Sequence, residues 1–256
     1  MNWRQPMKMS LLAVIMLSMM LGGNRQLVAA SSWDAALDGI DAVYDGLTAV
    51  QTLVKQESLE ISALRKKNND ALSALNAKIR AIDQTTVTRL TQETEALQRK
   101  HAPLLEQYAS LGKQVTAAKK RKDKKSADML ELKRNQLKPA ATSASAEIKA
   151  KKEALSAAKK SKTAKAKVVK DALVPVQTLK KRITAENKSV AAARKHLSAA
   201  DKRYKASVKR GDAIVAALEL KTVYDQTKAI HASLTKVYEW ERQIAQNVTL
   251  AVAKLP

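Results

Sequence analysis

Apolar residues recur along this chain at alternating spacings of three and four, the pattern of a helix with one buried face. From Leu37 to Ile82 one frame runs Leu37, Ile40, Tyr44, Leu47, Gln51, Val54, Ser58, Ile61, Arg65, Asn68, Leu72, Leu75, Ile79, Ile82, with ten of fourteen positions apolar. Arg65 and Asn68 read as a polar layer or a short break. The frame slips by one residue around Gln84-Thr85-Thr86. It resumes as Val87, Leu90, Thr94, Leu97, His101, Leu104, Tyr108, Leu111, Val115, Ala118. A third frame reads Val176, Leu179, Ile183, Glu186, Val190, Ala193, Leu197, Ala200, Tyr204, Ser207. A fourth reads Ala216, Leu220, Val223, Thr227, Ile230, Leu234, Val237, Glu241, Ile244, Val248, Ala251, Leu255. Strict alternation, the mark of a half-buried strand, never lasts beyond a few residues.

Local signals punctuate these frames. Ser31-Ser32-Trp33-Asp34 fits a capping box at a helix start. Gly211-Asp212 fits a turn, with Gly as the left-handed residue and Asp as the next cap. Lys209 and Arg210 complement the negative end of the preceding helix. The frame runs in register past Pro103, which predicts a kink there; Pro139 and Pro175 predict positions near helix starts. Between Ala118 and Val176 large apolar residues thin out and the frame fades. There, residues 119–125 read as a hairpin tip, Thr142-Ser143-Ala144-Ser145 as a joint, and 159–170 as helical only when partnered, or loosely ordered.

The expected fold is therefore all-α: an elongated antiparallel coiled coil or helical bundle of several long helices. Its predicted segments are helices over 31–112, a Lys/Ala-rich, weakly packed helical stretch over 113–175, a basic helix over 176–210 and a C-terminal helix over 212–256. Coiled-coil seams serve hairpins and intermolecular pairing alike.

The first thirty residues differ from the rest. Arg4 and Lys8 precede an apolar run from Leu11 to Leu21, followed by Gly22-Gly23 and the small residues Val28-Ala29-Ala30. This is the layout of a secretory signal peptide, with cleavage expected after Ala30. The run is well short of the roughly 20 residues that span a bilayer, and no transmembrane segment is expected in the mature chain. The expected location is extracytoplasmic, in the cell envelope.

Composition narrows the picture. There is no Cys and no Phe, and beyond residue 30 the only Trp residues are Trp33 and Trp240. No disulfide can form, so burial must hold the fold. An Ala-, Lys- and Leu-rich chain with few aromatics suits thin helical packing better than a thick core.

Charge is segregated. Residues 31–112 carry nine Lys/Arg against eleven Asp/Glu; residues 113–210 carry thirty against eight; residues 211–256 carry five of each. The net charges are −2, +22 and zero. A cationic field of that density draws polyanions. The candidate contacts are Lys119, Lys120, Arg121, Lys122, Lys124, Lys125, Lys151, Lys152, Lys159, Lys160, Lys162, Lys165, Lys167, Lys180, Lys181 and Arg182. An exported protein meets anionic wall polymers and membrane surfaces first. Nucleic acid ranks behind these, because no aromatic platform for base stacking sits among the lysines.

Catalytic and metal patterns are missing from the sequence. His101, His196 and His231 are far apart and form no metal-ligand spacing. Asp34, Asp38, Asp41 and Asp45 lie at helical spacing and read as a solvated face, not as a loop wrapped around calcium. Ser110-Leu111-Gly112-Lys113 and Ser156-Ala157-Ala158-Lys159 match Ser-x-x-Lys without the companion signatures. No enzyme activity, cofactor or metal is expected.

In composition and periodicity the chain resembles exported bacterial coiled-coil proteins, such as periplasmic holdase chaperones and the helical arms of cell-wall hydrolase activators. Three functions follow as expectations: an envelope scaffold binding anionic wall or membrane polymers, an exported holdase or hydrolase regulator gripping a protein partner through its seams, and a Lys/Ala-rich nucleic-acid binder.

Overall fold

A computed structural model of the chain describes residues 25–256, with side chains from Ser32 onward. The cationic and apolar parts of the predicted signal peptide, within residues 1–24, lie outside the described residues. Every described element is helical: α1 (Arg25–Ala81), α2 (Gln84–Lys120), α3 (Lys124–Ala172), α4 (Val174–Arg210) and α5 (Ala213–Val252). The all-α expectation holds. None of these helices is long and apolar enough to cross a membrane.

The connections follow from local chemistry. Between α2 and α3, Lys122 adopts a left-handed conformation (φ 59°). Its N–H donates to the Lys119 carbonyl and that of Asp123 to the Ala118 carbonyl, both at 3.1 Å. Between α4 and α5, Gly211 (φ 70°) repeats the pattern. Its N–H bonds the Val208 carbonyl, and the Asp212 N–H bonds the Ser207 carbonyl. Both are Schellman endings. Each is followed by an aspartate cap: Asp123 Oδ1 accepts from the Ser126 N–H and Asp212 Oδ1 from the Val215 N–H. At the α1–α2 joint, where the frame slips, Asp83 takes the left-handed conformation (φ 50°). The α3–α4 break at Leu173 stays right-handed (φ −90°, ψ −5°). Pro175, the second residue of α4, has no N–H to continue the ladder.

Several local expectations are corrected. α1 begins at Arg25, so Ser31 and Asp34 lie within a running helix and not at its start. α3 runs unbroken through 142–145 and 159–170, where a joint and loose order were expected, and Pro139 lies in its interior. Leu37 and Tyr44, though in frame, are 42% and 53% exposed.

The chain divides into two compact units. Unit 1 contains residues up to Asp70 together with 175–247; unit 2 contains 71–174 and 248–256.

Unit 1 is a three-helix bundle. α1 and α5 run in the same direction: Gly46 lies against Tyr224, Glu57 against His231 and Arg65 against Glu241. α4 runs opposite to both, as Arg203–Glu219, Glu186–Lys236 and Lys180–Asn69 show. Leu47, Ala200, Leu220 and Val223 form a buried cluster, flanked by Ile40, Val43, Leu197, Tyr204 and Tyr224. Burial of Tyr204 pushes its phenol pKa above the ordinary value. A polar layer lies further along. Asn68 Nδ2 donates to the backbone oxygen (2.8 Å) and Oε2 (2.9 Å) of buried Glu241, whose Oε1 accepts from Arg65 Nε at 2.8 Å. The sequence frame placed these three at seam positions.

In unit 2, α2 and α3 form an antiparallel hairpin. Its seam on α3 runs through the buried or half-buried positions Ala127, Leu130, Arg134, Leu137, Ala141, Ala144, Ile148, Lys151, Leu155, Ala158, Lys162, Lys165 and Val169, with Ser126, Glu131, Ala166 and Ala172 half-buried beside or beyond it. The seam positions are spaced by three and four throughout, so the seam does not fade after Ala118. Alanines and the apolar stems of Lys and Arg fill it in place of large aliphatics.

Candidate polyanion-binding surface

The basic residues of α3 fall on two faces. One face meets α2. Lys151 Nζ donates to Glu93 Oε2 at 2.8 Å, and Lys165 Nζ to Asp83 at 2.7 and 3.0 Å. Lys162 Nζ donates to the Gln84 amide oxygen. Arg134 lays its guanidinium 4.7 Å from the centre of the Tyr108 ring. A Cβ at position 112 would stand 3.4 Å from Arg134 Nε, at contact distance, so Gly112 lies against the stacked guanidinium. Nearer the turn, Lys119 bonds Glu131 at 2.9 Å. His101 Nε2 and Glu147 Oε2 approach to 3.1 Å. These pairs fix the register of the hairpin one after another, from its open end to its tip.

The carboxylates respond accordingly. The Lys151 hydrogen bond, then that of Arg89, holds Glu93 below the ordinary carboxylate range. Lys119 does the same for Glu131. Hydrogen bonding from Ser126 lowers Asp123. All three are solvated, so these contacts orient the helices more than they stabilise them.

The second face is exposed to solvent and borders the seam with α2. Lys152, Lys159, Lys160 and Lys167 are exposed on it, together with Lys149, which the sequence reading did not single out. Among the described residues only Lys167 has an ion-pair partner there, Asp171 one turn on, with both groups largely solvated. The turn presents Lys120, Arg121, Lys122, Lys124 and Lys125, all exposed. In unit 1, α4 carries exposed Lys181 and Arg182, while Lys180 reaches the Asn69 side chain at 3.4 Å.

The sixteen predicted contacts thus separate by geometry. Lys119, Lys151, Lys162 and Lys165 are tied to partners across the hairpin, and the other unit 2 candidates face outward. The sequence alone offered a signal for this division. Positions 151, 158, 162, 165 and 169 continue the three-four frame, and 149, 152, 159, 160 and 167 do not. The frame is obscured because alanine, lysine and arginine occupy many of its positions in place of large apolar residues.

Asp34, Asp38, Asp41 and Asp45 are exposed along α1. Among the described residues no group of three or more His, Cys, Asp or Glu could hold a metal ion. His231 Nε2 lies 3.6 Å from Glu57 Oε2, an isolated pair.

No family model matches this chain, and neither a curated protein nor a solved structure matches it.

Proposed function

We propose that this is an exported, non-enzymatic coiled-coil protein of the cell envelope, whose basic central region binds anionic wall or membrane polymers. The observation that carries the reading is the outward face of α3. Its ammonium groups stand on an ordered helix, and most lack a carboxylate partner. Lysines that served only to keep a helix soluble would be balanced by acidic residues on the same face, as charge-paired helices are. The leader-like residues 1–30 supply the compartment, and the compartment narrows the polyanions the protein meets.

The test is direct. The protein is expressed in a bacterium from the full sequence, recovered from the extracytoplasmic fraction and N-terminally sequenced. A mature start at Ser31 is expected; intact protein in the cytoplasm refutes the export reading. The recovered protein is then titrated with purified wall polymer at low and high salt. Binding should weaken steeply as salt rises, because cations neutralising phosphates release counterions. Salt-independent binding would remove the electrostatic mechanism.

A second reading has its own observation. Trp33, Leu37 and Tyr44 on α1 are all more than 40% exposed. Large apolar residues left in water on a helix suit a protein partner. This favours the holdase or hydrolase-regulator alternative. Suppression of client aggregation that survives high salt would select it over polymer binding.

A further inference from the structure

The outward face of α3 is shaped as well as charged. An open hollow of about 430 Å³ is lined by Leu105, Ser145, Ile148, Lys149, Lys152, Glu153 and Ser156. A second, of about 590 Å³, is lined by residues from Lys152 to Lys167 and shares Lys152 and Ser156 with the first. The two shallow hollows adjoin at Lys152 and Ser156 and together make an open groove along the helix. Half-buried Leu105, Ile148 and Leu155 supply its apolar floor. Lys149, Lys152, Lys159, Lys160 and Lys167 rim it, and the Ser156 hydroxyl lies between them. Glu153 is the one carboxylate on either lining. From Lys149 to Lys167 the helix rises about 27 Å.

Resting on the function proposed above, we infer that this groove is the binding track, and that it takes a linear, single-chain phosphate polymer lying lengthwise along α3. Three features select that ligand. The lysines recur lengthwise along one helix from 149 to 167, so they match a chain of phosphates better than the plane of a membrane. No exposed large apolar side chain occurs on α3 between Leu132 and Val168, so nothing on this face inserts into lipid. α3 contains no Phe, Tyr or Trp to stack on a base, so a polymer is held by its phosphates alone. Lysine suits this role as a compact point charge that needs no fixed approach geometry.

Four rim lysines, 149, 152, 159 and 160, have no ion-pair or hydrogen-bond partner among the described residues. Neutralising roughly four phosphates predicts a slope of about −3 in log affinity against log salt, taking the single-strand coefficient. Between about 50 and 200 mM salt, affinity should fall about fifty-fold.

The experiment removes equal charge from two places in the full chain. One variant carries Lys149→Gln, Lys152→Gln, Lys159→Gln and Lys160→Gln; the other carries Lys120→Gln, Arg121→Gln, Lys124→Gln and Lys125→Gln at the turn. Glutamine keeps helix propensity close to that of lysine, and circular dichroism checks that both variants stay helical. The probes are purified poly(glycerol phosphate), vesicles of phosphatidylglycerol and duplex DNA. The groove variant should lose at least about tenfold in affinity for poly(glycerol phosphate) and most of the salt slope, and the turn variant less than about threefold. Equal losses would mean that bulk charge alone acts, and would overturn the groove. A larger loss in the turn variant would do the same. Tighter wild-type binding to vesicles or duplex DNA than to poly(glycerol phosphate) would overturn the single-chain ligand. If the wild type binds none of the probes, the proposed function falls as well. If it binds and the groove variant binds equally, the groove alone falls.

Discussion

Unit 1 and the α2–α3 hairpin share the same three-four spacing and fill it differently. In unit 1 the buried positions are Leu47, Leu220, Val223, Ile230, Leu234 and Val237, with one polar layer at Asn68 and Glu241. In the hairpin, α3 offers Ala127, Ala141 and Ala144 as its fully buried positions before Val169. Arg134, Lys151, Lys162 and Lys165 stand half-buried between them. A three-helix bundle encloses an interior wide enough for large aliphatics. Two helices have only one shared line of contact, so small residues and the stems of long cations complete it. The comparison teaches that basic residues can belong to a packing seam, and that a Lys-rich helix can be ordered without a Leu-rich stripe.

The largest expected effect breaks unit 1 by removing volume. Leu220 is 2% exposed within its cluster. Leu220→Ala should cost about 2–5 kcal/mol, from lost transfer energy and the cavity left behind. Thermal unfolding followed by circular dichroism would read it. A loss under about 1 kcal/mol would mean that the cluster is not a tightly packed interior.

The polar layer comes next. Glu241→Ala leaves the Asn68 amide without its side-chain acceptor and Arg65 without its carboxylate. The Arg65 side chain is 40% exposed against 4% for Glu241, so water recovers part of the loss. The expected cost is about 2–3 kcal/mol, at or below the low end for broken buried pairs. Glu241→Leu should recover part of the stability and loosen the register between α1 and α5, since such layers chiefly specify pairing. Denaturant unfolding of both variants, with hydrogen exchange around Asn68, would settle the order.

The hairpin should fail in the opposite sense. Ala144 is 1% exposed on α3. Ala144→Leu should destabilise by about 1–3 kcal/mol, because the added methylenes have no space beside α2. An increase in stability would contradict a close-packed alanine seam. The two turns offer a smaller contrast. Lys122 holds the left-handed position that Gly211 holds in the other turn. Lys122→Gly should stabilise by about 0.5–1 kcal/mol, relieving the side-chain clash of that conformation. Hydrogen exchange at the end of α2 would show it as slower opening.

Much of this was legible in the sequence. Every member of the frames from Val87 to Ala118, Val176 to Ser207 and Ala216 to Leu255 is buried or half-buried. Asp83 and Gly211 stand where the frame slip and the Gly-Asp signal put breaks. The course of α3 was not legible from counting large apolar residues, because Ala141, Ala144, Lys151 and Lys165 do not look like a core until a partner helix lies against them. Ser31 misled for a different reason. A capping box is a local preference, and the helix that begins at Arg25 runs through it on helix-forming residues. For the candidate surface, charge located the region, but only the pairing of Lys151 and Lys165 with Glu93 and Asp83 separated the seam lysines from the outward ones.

The smallest effect is a pH dependence confined to the hairpin. Glu93 and Glu131 have folded-state pKa values below the ordinary carboxylate value, each held down first by a hydrogen bond from a lysine on the opposite helix. A group whose pKa is lower when folded binds fewer protons in the folded state, so it stabilises above its unfolded value, near about 4.3, and that contribution disappears as pH falls through the lower folded value. The hairpin should therefore loosen below about pH 4 while the aliphatic cluster of unit 1, which contains no carboxylate, is unchanged. Hydrogen exchange at Glu93 and Glu131, compared with that at Leu220 between pH 6 and pH 3 after correction for intrinsic rates, would show earlier opening in the hairpin. Replacing Glu93 and Glu131 by Gln should flatten that dependence, since the amide keeps the hydrogen bond to lysine and carries no proton equilibrium. A dependence that persisted in the double variant would place the acid sensitivity elsewhere, with Asp123 and its Ser126 cap as the remaining hairpin carboxylate held below the ordinary value.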